Sequence, residues 1–166
     1  MRILGIDPGL ATIGLGIIDR SENGDMTAVD WLTIKTKAGL PIAERLCEIA
    51  EDLKGFLRTI KPDLAVIERL FFATNEKTAL DVAHARGVIV HTVASARVPM
   101  LEPTPLQLKL GITGDGGADK VQMQTMLVHL LSLSEIPTPD DAADALALAV
   151  YGALHAPHPA VLAPQS

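Results

Sequence analysis

Three kinds of apolar spacing follow one another along the chain, and their order is that of an α/β protein. Ile3, Leu4 and Ile6 make a run too short for a helix, closed by Pro8-Gly9, so they predict a buried strand ending in a tight turn with Asp7 as its last residue. Over residues 12–19, Ile13, Leu15 and Ile17 alternate with Gly14, Gly16 and Ile18. This is a second strand whose glycines bare one face to close approach by another backbone or a bulky ligand. Asn23-Gly24 carries the hairpin signal, so residues 26–35 predict a third, antiparallel strand, and the chain opens as a three-strand meander.

From Pro41 the period changes. Ile42, Leu46, Ile49, Leu53, Phe56 and Ile60 recur every three or four residues, with Glu44, Arg45, Glu48, Glu51 and Asp52 turned to water: a helix packed on the sheet. Lys61-Pro62-Asp63 ends it, and Leu64-Ala65-Val66-Ile67 is the continuous run of a strand buried on both faces, again ending in an acid, Glu68. Residues 75–97 predict a long helix whose Ala79, Val82, Ala83, Ile89, Val90 and Val93 cover more than one face, one for the sheet and one for a partner subunit. A brief fifth strand is expected at 98–101, a short helix at 104–110, and a mobile loop at 111–118, where four of eight residues are glycine. A helix over 119–133 turns Met123, Met126, Leu127, Leu130 and Leu131 inward, and an Ala- and Leu-rich helix begins near Asp140. Pro157, Pro159 and Pro164 mark residues 155–166 as a disordered tail, which leaves one domain over 1–154.

Composition agrees with one domain: 166 residues, 48% of them hydrophobic and 20% charged, suffice for a full core. There is no apolar run of about 18 residues and no signal-peptide pattern, so a cytoplasmic protein without a membrane span is expected. Cys47 is the single cysteine, expected to pack inside and unable to form an internal disulfide. The net charge of -6 argues against a nucleic-acid binder, unless several of the acids serve a metal site.

Four acids share one setting. Asp7 and Glu68 end buried strands, and Asp141 and Asp144 lie three apart at a helix start, hence on one face. Each alone has an ordinary explanation. Asp-Pro-Gly is common turn chemistry, Glu68 could pair with Arg69, and acids at a helix start cap it and favour its dipole. Together they point elsewhere. If the first and fourth strands are parallel neighbours, both strand acids emerge at the sheet edge where open α/β sheets bind ligands, and a last helix crossing that edge would complete a cluster. Crowded carboxylates repel until a cation or a proton relieves them. All-oxygen ligation selects Mg²⁺ or Mn²⁺, and no Cys or His spacing suggests zinc. Two such ions about 4 Å apart hold the attacking water and the leaving oxygen of a phosphodiester in line, so phosphodiester hydrolysis is the natural reaction.

GIDPG at 5–9, VIERLFFATN at 66–75, ARGV at 85–88 and DAADALALA at 141–149 together resemble the RuvC family of Holliday-junction resolvases, in order and over nearly all of 3–151. The resemblance implies an RNase H-like fold with a five-stranded mixed sheet flanked by helices, and a homodimer that nicks two opposed strands of four-way junction DNA with divalent metal. Asp7, Glu68, Asp141 and Asp144 fall on the four catalytic acids. Phe71 or Phe72 takes the place of an aromatic that stacks on a junction base, and Lys109 and Lys120 sit where family lysines approach phosphate. Products with 5′-phosphates and cooperation with the RuvA and RuvB branch-migration complex are implied as well. Many family members are basic where this chain is acidic, so a local basic strip of Arg69, Lys77, Arg86, Lys109 and Lys120 is expected to carry the DNA. Rival readings are an actin-like kinase or ATPase, which usually needs two such domains, an RNase H-like protein that trims ribosomal RNA, and a module that holds junctions without cutting them.

Overall fold

In the computed structural model, which describes residues 1–70 and 76–156, five strands form one mixed sheet between two helical layers. β1 (Arg2–Asp7), β2 (Thr12–Arg20) and β3 (Met26–Lys35) make the antiparallel meander, and β4 (Leu64–Ile67) lies parallel to β1 on its other side. β5 (Met100–Leu101) adds a short parallel edge, giving the order β3-β2-β1-β4-β5. The helices are α1 (Ile42–Ile60), α2 (Glu76–Ser95), α3 (Pro105–Thr113), α4 (Lys120–Leu131) and α5 (Asp140–His155).

The strand period of two sorts the core into halves. Leu4, Ile6, Ile13, Leu15, Ile17, Ala65 and Ile67 face α1 and α2, where Ile49, Leu53, Ile89 and Val93 meet them. Ile3, Ile18, Leu64 and Val66 face the other way, onto α5, with α3 and α4 outside it. On that second face the two central strands β1 and β2 are unusually bare, because Gly5, Gly14 and Gly16 stand among their positions there. A Cβ on Gly5 would overlap the carbonyl of Ala145, one on Gly14 the carbonyl of Asp141, and one on Gly16 the backbone of Leu146. The glycines therefore receive a helix backbone, and α5 lies against the sheet main chain to main chain. Its own Ala142, Ala143, Ala145, Ala147 and Ala149 keep the contact thin on the helix side.

Three expectations change. The loop over 111–118 is largely structured: α3 runs through Thr113, Gly114 ends it in the left-handed conformation at φ 77°, and Thr113 and Asp115 tie the turn together through side-chain hydrogen bonds. Ile112 is the reason, since its burial against the α5 layer holds the helix past the glycine that the sequence suggested would end it. Cys47 is exposed rather than packed. It lies two residues from Ile49, and a 100° step per residue turns it to the opposite face of α1. Glu68 follows β4 rather than ending it.

Candidate active site

Register and parity place the two strand acids. Ile6 of β1 lies beside Ile67 of β4, so the next residues along the two parallel strands are Asp7 and Glu68. Asp7 shares the parity of Ile3 and Gly5, and Glu68 that of Leu64 and Val66, so both side chains leave the sheet on the α5 face at its C-terminal edge. Asp7 also pairs with Gly14, and Gly14 is where the Asp141 carbonyl rests. The glycine contact thus fixes the first turn of α5 beside Asp7 and brings Asp144, one turn on, over the same edge.

Asp7, Glu68 and Asp144 line one cavity of about 270 Å³ with Lys109 of α3 and Lys120 of α4, floored by Leu108 and Leu127. Asp141 does not line it, although its charge reaches Asp7. A larger cavity, about 640 Å³, lies between the C-terminal halves of α1 and α2, but it contains only Glu51 among acids and none of this chemistry. Chemistry rather than size identifies the site.

The electrostatics have one sign. Burial first, then the charges of Asp144, Glu68 and Asp141, push the Asp7 carboxyl up to about 7, with Lys120 pulling the other way. Burial and Asp144 raise Glu68 while Lys109 lowers it. Asp144 keeps part of its surface in water, and partial desolvation still raises it, against Lys120 and with Asp140 and Asp141. Among the described residues no group of three or more His, Cys, Asp or Glu side chains converges in a ready-made metal geometry. The acids therefore stand close enough to repel one another without closing on a common point. That donor set, hard oxygens only and destabilised by mutual charge, fits a divalent cation such as Mg²⁺ or Mn²⁺.

The expected basic residues divide. Lys109 and Lys120 reach the cavity, and Lys120 Nζ is held 2.9 Å from Asp140, whose hydrogen bond raises the lysine pKa. Arg69 is exposed, and its backbone N–H donates to the Pro103 carbonyl at 2.9 Å. Arg86 is turned inward: Nε donates to the Glu68 carbonyl at 2.8 Å and Nη2 pairs with Glu102. Phe71, Phe72 and the side chain of Lys77 lie outside the described residues. Asp140 and Glu102 are the partners that sequence reading missed. Glu102 was findable, as a third acid directly after a parallel strand.

A family model described as "Crossover junction endodeoxyribonuclease RuvC" matches residues 3–152. Proteins of that name are 48% identical over 150 residues in Brevibacillus brevis, covering 90% of each chain, and 47% identical over 157 residues in Chloroflexus aurantiacus, covering 95% of each. The solved Thermus thermophilus RuvC structure is 31% identical and superposes with a TM-score of 0.87 over 94% of this chain and 95% of that one. The same T. thermophilus protein has also been solved in complex with a Holliday junction substrate, matching with the same TM-score and identity.

Proposed function

The chain belongs to the RuvC family of crossover junction endodeoxyribonucleases, and from that membership we propose how its own residues do the work. It is a structure-specific DNA endonuclease that resolves four-way junctions. In our reading Asp7, Glu68, Asp141 and Asp144 hold two Mg²⁺ or Mn²⁺ ions, as sequence reading expected. Bound there, divalent cations supply charge neutralisation and activation of water at the scissile phosphodiester.

The chain's part is placement. Asp7 ends β1, Glu68 directly follows β4 one step past the last register pair of Ile6 and Ile67, and Asp144 is carried by a helix whose depth on the sheet is set by backbone contact, so the acids are on ordered supports before substrate arrives. Lys109 and Lys120 flank the acids on α3 and α4, where they meet phosphate oxygens and offset the negative charge of the cleft. Phe71 or Phe72 stacks on a base at the opened crossover, a contact worth about 1–3 kcal/mol. Arg69 and Lys77 belong to the DNA-contacting strip.

The enzyme acts as a homodimer, so that two sites face two symmetry-related strands and the nicks are paired. RuvA and RuvB deliver the junction. The nuclease domain takes in all of α5, which runs one residue past the expected boundary of 154, to His155. No helix of the described residues is long and apolar enough to cross a membrane, and the exposed lone thiol of Cys47 suits a reducing cytoplasm.

One observation carries this reading: three acids from the ends of two strands and a helix share a cavity, where burial first and then the neighbouring carboxylates lift Asp7 to about 7. The test is cleavage of an end-labelled synthetic four-way junction against linear duplex, with Mg²⁺, Mn²⁺ or EDTA. Paired, metal-dependent nicks near the crossover on the junction alone are expected. Asp7→Asn should lose cutting and keep junction binding, and a fully active variant would remove Asp7 from the mechanism.

A further inference from the structure

Arg86 was expected on the DNA-binding surface, but its guanidinium spans the ends of two neighbouring strands. It lies on α2, with a side chain 19% exposed, and it reaches over the C-terminal edge of the sheet where β4 and β5 run parallel. Nε donates to the carbonyl of Glu68, the residue directly after β4. Nη2 pairs with Glu102, the residue directly after β5. On the other side of the same segment the Arg69 N–H donates to the Pro103 carbonyl at 2.9 Å. The main chain at Glu68 is thereby held from both sides just where the ladder of β4 stops.

We propose that Arg86, oriented by Glu102, is a positioning residue that sets the main chain of Glu68 and so aims its carboxylate into the acid cavity. The inference rests on the reading of Glu68 as a catalytic acid given above. Arg86 touches the backbone of Glu68, so it acts through that residue. The register of β4 with β1 ends at Ile67 and its register with β5 ends at Val66, so neither ladder includes Glu68 itself. A fork with fixed N–H directions satisfies the carbonyl and the Glu102 carboxylate together, which a lysine ammonium on a flexible stem does not reproduce. Small displacements of a catalytic group are costly, and an offset of about 1 Å lowers a rate by on the order of a hundredfold.

The phosphate-contact role and the positioning role separate cleanly in one set of measurements. Single-turnover cleavage at saturating enzyme is compared with junction binding in EDTA across a salt series, for the full-length wild type, Arg86→Gln, Arg86→Lys, Glu102→Gln and the control Glu68→Gln. For a positioning role, Arg86→Gln and Arg86→Lys cut about 10- to 100-fold more slowly, Glu102→Gln is also slowed, and binding and its salt slope match wild type. A phosphate contact would instead make the slope of log K against log salt shallower by about 0.9 and leave the saturated rate intact, which overturns the proposal. An unchanged rate in the Arg86 variants overturns it too. Should Arg86→Gln not fold by thermal melt, Glu102→Gln decides alone, because a wild-type rate there leaves Arg86 nothing to be oriented by. The control keeps the two readings apart: an active Glu68→Gln sinks the catalytic assignment itself, whereas an inactive one with active Arg86 variants sinks only the positioning.

Discussion

Asp7 holds its proton up to about pH 7 in the fold, but its counterpart in the unfolded chain releases it near 3.8. Between those values the folded state binds more protons than the unfolded one, so stability without metal falls as pH rises through about 4 to 7, by at most about 1.4 kcal/mol per unit for one proton. Thermal melts in EDTA at pH 5, 6, 7 and 8 should show the decline, Asp7→Asn should flatten it, and Mg²⁺ should raise Tm more at pH 8 than at pH 5. A rising Tm over that range would contradict the crowded-acid picture. A simpler check concerns Cys47, which should react stoichiometrically with a thiol reagent in the native protein, without loss of cutting. The grouping of Asp7, Glu68 and Asp144 in one cavity was legible because two follow strand patterns and one sits a turn into a helix, whereas Asp141, expected with them, does not line it. The pairings of the residues around them were not: Arg86 and Glu102 meet only when α2 folds over β5, and the Lys120–Asp140 pair forms only when the starts of α4 and α5 converge. Neither pairing leaves a local pattern.

At the scale of elements, the strands, their order and the alternation of their faces were readable because a period of two with Gly-rich breaks is a strong local signal. The turn after α3 was misjudged for a tertiary reason. Four glycines argued for mobility, whereas the burial of Ile112 and the packing of Gly111 against Tyr151 and His155 hold that region to α5. The bare face of β2 was seen, and its occupant was left open between a backbone and a ligand; it is the backbone of α5. Gly16→Ala therefore forces a methyl group into the main chain at Leu146. Overpacking of this kind should cost about 1–3 kcal/mol or more, read as a lower denaturation midpoint in urea. Cutting should fall with it, because the displaced helix carries Asp141 and Asp144. A variant as stable as wild type would mean that α5 sits further from the sheet than described.

For the whole molecule the question is how a chain of net charge -6 engages DNA. Lys109 and Lys120 stand beside the acids rather than apart from them, so charge is balanced locally, and replacing both with alanine should flatten the salt dependence of junction binding by roughly two phosphate equivalents. The proposed homodimer would double such contacts. Leu80 of α2 is 68% exposed, on the helix whose second apolar face predicted a subunit contact. Sedimentation should give twice 17.6 kDa, and Leu80→Asp should shift it toward the monomer, with junction nicks no longer paired. The glycine seat of α5 has a further consequence for anyone mapping this enzyme by random mutagenesis. Selection for lost resolution would return Gly5, Gly14 and Gly16 alongside Asp7 and Glu68, and by phenotype the two groups would be indistinguishable. The glycines carry no functional group, so a genetic screen would assign chemistry to residues whose whole contribution is the space they leave. Soluble yield would sort them, since the acid variants accumulate as folded protein and the glycine variants are cleared.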